Sequence, residues 1–118
     1  MFELSVESHF SAAHHLLNYE GNCENVHGHN WKVEITVAGE QLDKSGMLVD
    51  FKYLKKGLNE ILDRLDHKDL NNVEELKGVS PSSENIARFI YIELKKSFPR
   101  LKKVSVWETE KAKASYTE

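Results

Sequence analysis

Only one cysteine, Cys23, occurs in the 118 residues. No disulfide can form within the chain, so stability has to come from packing, a metal or association with other copies. Prolines number two, Pro81 and Pro99, which leaves little but these to punctuate the chain. No apolar run approaches the eighteen or so residues of a membrane-spanning helix. Positive charge is not in excess either: 16 Lys and Arg stand against 19 Asp and Glu, for a net charge of -3. That balance argues against nucleic acid as a partner. Met1-Phe2-Glu3 lacks a basic stretch followed by an apolar one. The expectation is a protein without a secretory signal, in the cytoplasm. Internal repeats, low-complexity segments and linkers are missing as well. Hydrophobic residues at 40% and charged residues at 30% place the chain among folded proteins rather than disordered ones. At this length it reads as one domain, residues 1–118, that buries about two-thirds of its unfolded surface.

Periodicity supplies the architecture. Phe2, Leu4 and Val6 alternate with Glu3 and Ser5, which is a strand with one buried face. From His29 to Ala38 the same signal is stronger, with Trp31, Val33, Ile35 and Val37 pointing one way. The stretch from Ser11 to Val26 reads as irregular. Asp43-Lys44-Ser45-Gly46 reads as a turn. Asp50 then caps a helix to about Leu65, whose apolar face is Phe51, Leu54, Leu58, Ile61, Leu62 and Leu65. Ser80 followed by Pro81 marks a second helix start, with Ile86, Phe89, Ile90 and Leu94 as its apolar face and Pro99 ending it. Val104 and Val106 alternate with Lys103 and Ser105 to give a third strand, and Ala112 to Tyr116 gives a weaker fourth. The order predicts an α+β fold, a four-stranded antiparallel sheet with two helices on one face. Its two free edges point to an oligomer, since pairing edges between subunits protects them.

The chemistry concentrates in histidines. His27-Gly28-His29 places two imidazoles about 6.6 Å apart along one face of an extended segment, close enough to converge on a metal ion. Both share the odd parity of Trp31 and Val33 and continue the buried face. Two buried neutral imidazoles need partners, and a metal supplies them as well as hydrogen bonds would. His14 has the even parity of Phe2, Leu4 and Val6 and can supply a third ligand, while His15 faces away. Three histidine ligands leave a fourth coordination position open, the pattern of a catalytic zinc. Without the metal, His14 is a surface histidine. Cys23, four residues before His27, is either a small buried hydrophobe or a thiolate acting as base or nucleophile. Glu108 shares the parity of Val104 and Val106 and is expected to point inward at a strand end. Its natural partner there is a planar ligand with two parallel N–H donors or an arginine; the alternative is a solvated strand end. Asp66-His67 opens the loop after the first helix, where the pair either tunes a proton transfer or forms a polar helix exit.

Several phrases together resemble the family of 6-pyruvoyltetrahydropterin synthase and 6-carboxytetrahydropterin synthase. They are Phe10-Ser11-Ala12-Ala13-His14, Cys23-x-x-x-His27-Gly28-His29-Asn30, Leu65-Asp66-His67-Lys68-Asp69-Leu70-Asn71, Pro81-Ser82-Ser83-Glu84-Asn85 and Trp107-Glu108-Thr109. Separate motifs in the right order are more specific than any one of them. The resemblance implies zinc held by His14, His27 and His29, with Cys23 as general base, Asp66 and His67 completing a proton relay, and Glu108 gripping the pterin's 2-amino and N3–H groups. It implies the tunnelling fold, in which three subunits close their sheets into a barrel and two such rings stack. Active sites would lie between subunits. Three residues separate Cys23 from His27, the spacing of the carboxy-forming enzymes, which act in queuosine and 7-deazapurine synthesis. The implied reaction is cleavage of 7,8-dihydroneopterin triphosphate to 6-carboxytetrahydropterin, acetaldehyde and triphosphate. Alternatives are triphosphate elimination alone, as in the pyruvoyl-forming enzymes, and a non-catalytic zinc- or pterin-binding domain. Retention of Cys23, Asp66 and His67 together argues against the last. Glu24 beside Cys23 is a departure, because some relatives use a glutamate near this point for a different cleavage.

Overall fold

The computed structural model describes residues 1–20 and 24–118. Both helices lie on one face of a sheet, as the order of elements predicts. The strands are β1 (Phe2–His14), β2 (His27–Gly39), β3 (Lys68–Asp69), β4 (Leu101–Thr109) and β5 (Ala112–Thr117), in the spatial order β3-β1-β2-β4-β5. The helices are α1 (Phe51–Leu62) and α2 (Ser83–Lys95). All pairings are antiparallel except that of β1 with β3.

The sheet has five strands, not the expected four. β3 is two residues long and pairs in parallel with Ala12 and Ala13 of β1. Two residues carry no alternation, so no periodicity announces them. They are held by the backbone: the His67 N–H donates to the Ser11 carbonyl at 2.6 Å. A second difference is the length of β1. It runs unbroken to His14 through the stretch expected to be irregular, because even parity continues through Phe10, Ala12 and His14, all of them buried.

The core lies between the sheet and the helices. Phe10, Trp31, Val33, Ile35, Val37, Val104 and Val106 face it from the strands. Leu54, Leu58 and Leu62 face it from α1, and Ile86, Ala87, Ile90, Tyr91 and Leu94 from α2. Each fully buried leucine contributes about 1.5–3 kcal/mol relative to exposure. Asp50 caps α1 by accepting from the Lys52 N–H at 2.8 Å. The helix ends at Leu62, so Leu65 reaches the core from the turn after it, and Phe51, expected on the apolar face, is exposed. Ser82 rather than Ser80 caps α2, accepting from the Asn85 N–H. Ser80 and Pro81 precede the helix, and their polar atoms turn toward the end of β1: the Ser80 hydroxyl accepts from the Leu17 N–H at 2.9 Å.

The opposite face of the sheet carries no helix and is polar. Ser5 and Thr36 hydrogen-bond across β1 and β2 at 2.9 Å, and Ser105 and Ser115 across β4 and β5 at 2.7 Å. The Lys32 and Lys113 ammonium groups lie 4.1 and 5.0 Å from the ring of Trp107.

Candidate metal centre

At one end of the β1–β2 pair, His14 stands directly opposite His27. Antiparallel pairing therefore brings together side chains thirteen residues apart, and strand alternation places His29 on the same face as His27. Glu108 arrives from β4. The register with β5 slips between Trp107 and Thr109, and such a bulge re-aims a side chain. One ligand atom from each of His14, His27, His29 and Glu108 lies within 4.8 Å of every other.

His14 is the floor of this group, 1% exposed, whereas the His27 and Glu108 side chains are 37% and 34% exposed. Trp31, fully buried, packs edge-on against both His14 and His29, at centroid distances of 4.8 and 5.5 Å. Its Nε1–H donates to the Ala12 carbonyl, and its ring stacks on Phe10. The ligand ends of β1 and β2 are thus braced by the core itself.

Hydrogen bonds set the tautomers. The His14 Nδ1 lies 2.7 Å from the Pro81 carbonyl, and the His27 Nδ1 lies 2.9 Å from the Asn25 carbonyl. A carbonyl only accepts, so both Nδ1 atoms carry protons and both Nε2 atoms turn toward the group. Those two Nε2 atoms face each other at 3.1 Å. The His29 Nε2 is buried without a hydrogen-bond partner. Burial holds the His29 imidazole below the ordinary histidine value, against the opposing pull of Glu108, which keeps it neutral near pH 7. Three imidazoles and a carboxylate converging on one point are a donor set that fits a divalent metal. The carbonyls that fix the rings are the outer partners such ligands use.

Asp66 and His67 are not in this group. They sit beside the β1–β3 edge, where the Asp66 Oδ1 accepts from the Ser11 N–H at 2.8 Å and contacts the His67 Nδ1 at 2.9 Å. Neighbouring side chains seldom meet, but here the φ of His67 is 59°, and the turn folds the ring back onto the carboxylate. The Ser11 N–H first, then His67, hold the Asp66 carboxyl below its usual range. His67 is 81% exposed and shares with His29 an open cleft lined by Ser11, Ala13, Asn30 and Lys68. Cys23 lies outside the described residues.

Three contributors left no mark in the periodicity of the sequence. The Pro81 and Asn25 carbonyls are backbone atoms. Asn71 is visible only in three dimensions: its Oδ1 accepts from the His15 N–H at 2.9 Å while its Nδ2 donates to the His15 carbonyl at 3.0 Å. The carboxamide pairs with β1 as another strand would, next to His14.

The family model described as 6-pyruvoyl tetrahydropterin synthase matches residues 3–118. A protein of Synechocystis named 6-carboxy-5,6,7,8-tetrahydropterin synthase is 37% identical, over 98% of this chain and 93% of its own length. A protein of Dictyostelium discoideum named 6-pyruvoyl tetrahydrobiopterin synthase is 42% identical, over 76% of this chain and 69% of its own. Among solved structures, the 6-pyruvoyl tetrahydropterin synthase of Caenorhabditis elegans superimposes with a TM-score of 0.89 at 31% identity, covering 99% of this chain and 95% of that one. The α+β architecture is therefore that of these enzymes. Among the described residues, no helix is long and apolar enough to cross a membrane.

Proposed function

The chain belongs to the 6-pyruvoyl tetrahydropterin synthase family, enzymes that act on pterins, and on that premise we propose that it is a zinc-dependent lyase. Its substrate is 7,8-dihydroneopterin triphosphate, and its products are 6-carboxy-5,6,7,8-tetrahydropterin, acetaldehyde and triphosphate, on the route to queuosine and other 7-deazapurines. The observation that carries the reading is the convergence of the His14 and His27 Nε2 atoms, with the unpaired His29 nitrogen beside them. A bound zinc supplies Lewis acidity toward the side-chain hydroxyls, which lowers the cost of removing a proton from the adjacent carbon. The rest of the work falls to the chain. His14, His27 and His29 hold the ion, and the backbone carbonyls that engage the Nδ1 atoms of His14 and His27 turn their Nε2 atoms toward it. Cys23 as thiolate takes the proton. Asp66 holds His67 in the orientation that returns or relays one, and the exposure of this pair at a strand edge suits a site completed by a neighbouring subunit. Glu108 accepts the pterin 2-amino and N3–H groups through its two oxygens. The subunits associate through their sheet edges into trimers or stacked trimers.

Formation of the carboxylate is supported by the three residues between Cys23 and His27 and by the Synechocystis relative's name. The second reading, triphosphate elimination that keeps the carbon chain, is favoured by the Dictyostelium relative. Incubating the zinc-loaded protein with 7,8-dihydroneopterin triphosphate separates them. Acetaldehyde together with a 6-carboxypterin is the expected outcome. Triphosphate with a pyruvoyl side chain replaces the first reading by the second, and binding without turnover refutes both.

A further inference from the structure

Glu108 stands where a fourth ligand would. A single oxygen, Oε1, lies 3.0 Å from the His14 Nε2, 3.2 Å from the His29 Nε2 and 4.0 Å from the His27 Nε2. Four donors placed tetrahedrally at zinc bond lengths of about 2.0–2.1 Å from one ion stand about 3.3 Å apart. The His14–His27 separation of 3.1 Å belongs to the same set. The His14 Nε2 is also within hydrogen-bond distance of Oε1, while its Nδ1 faces the Pro81 carbonyl. The His29 Nε2 lies 3.2 Å from Oε1 yet makes no hydrogen bond. Among the described residues, every ion pair of Glu108 is to one of these three imidazoles, with no lysine or arginine to balance its charge. A divalent cation held by the three rings supplies that balance. Glu108 follows Val104 and Val106 on the inward face of β4, beside the bulge between Trp107 and Thr109.

We propose that Glu108 is the fourth metal ligand of the substrate-free enzyme and that it exchanges the metal for the pterin. The inference rests on the pterin synthase reading above. With Glu108 in place the ion has four protein donors and no open position. The two N–H donors of an arriving pterin ring offer the carboxylate a bidentate partner, and moving to them frees a coordination position for the side-chain hydroxyls. Recognition of the ring and opening of the metal become one event. Small oxygen ligands that lack the ring do not open it.

The test uses the full chain loaded with Co2+, whose visible absorption reports coordination, and pterin itself as probe. Pterin carries the 2-amino and N3–H donors but no side-chain hydroxyls. Without pterin, Glu108→Gln is expected to weaken metal binding about 10–100-fold, at least what loss of an outer partner costs, and to alter the cobalt spectrum. Adding pterin is expected to alter the wild-type spectrum toward that of the variant. An unchanged affinity and spectrum in Glu108→Gln overturns the inference. So does pterin binding, followed by its own fluorescence, that leaves the wild-type cobalt spectrum as it was. If either occurs while the wild type still turns over substrate, this inference fails alone. A wild type that takes up no metal ends both it and the proposed function.

Discussion

Replacing Asn71 tests whether the end of β1 is held by a side chain rather than by a strand. Its carboxamide accepts from the His15 N–H and donates to the His15 carbonyl, one residue beyond the ligand His14. Asn71→Leu keeps the branched shape and removes both bonds. A buried polar group left without its partner costs about 1–3 kcal/mol. Both His15 groups are only half-buried, so water replaces part of the loss, and the sum falls to about 1–3 kcal/mol for the pair. In a domain of this size that is a drop in Tm of roughly 3–12 °C. Freeing the strand end also lets the His14 ring drift from its partners, which lowers metal affinity by about 10-fold or more. Asn71→Asp retains the acceptor but places a second acceptor against the His15 carbonyl, so it is expected to lose stability without recovering metal affinity. Thermal melts of the metal-free proteins, with chelator competition for affinity, read both effects. A leucine variant that melts within about 1 °C of the wild type and holds metal as tightly refutes the reasoning.

Three further outcomes are expected. Zinc at 100 times its dissociation constant is expected to stabilise the wild type by about 2.7 kcal/mol, and His14→Ala is expected to abolish that gain, as scanning calorimetry with and without metal would show. Trp31→Phe leaves the Ala12 carbonyl without its donor and a void beside His14, so it is expected to cost about 1–3 kcal/mol in urea unfolding; a midpoint equal to the wild type would show that the bond and the packing do not matter. Asp66 has a folded pKa below its ordinary value, so its contribution is full above the unfolded carboxyl value of about 3.9. That contribution is lost as pH falls through the lower, folded value. Asp66→Asn is therefore expected to flatten the stability–pH curve on the acid side of pH 4 and leave its slope between pH 6 and 8 unchanged; an unaltered acid limb contradicts the pairing with Ser11.

Much of the site was legible because strand alternation is a local rule. The parity of His27 and His29 with Trp31, and of Glu108 with Val106, held when the strands formed, and the even parity of His14 proved sounder than expected because β1 continues through it. The helices were legible from spacing, though their ends were not. Ser80-Pro81 resembles a helix start, but its hydroxyl and the Pro81 carbonyl are drawn to Leu17 and His14, so the cap moves on to Ser82. β3, the Trp107 bulge and the carboxamide of Asn71 left no trace in the pattern. β3 and the Asn71 carboxamide pair with the end of β1 from a segment far along the chain, the bulge is a slip within the β4–β5 hairpin, and all three are settled by hydrogen-bond satisfaction once the sheet exists. The sequence by itself determined which residue types can bind a metal and which face of each strand they share. Only the tertiary structure decided that three rings and a carboxylate meet at one point, because strand register and a bulge set those distances and neither is encoded locally.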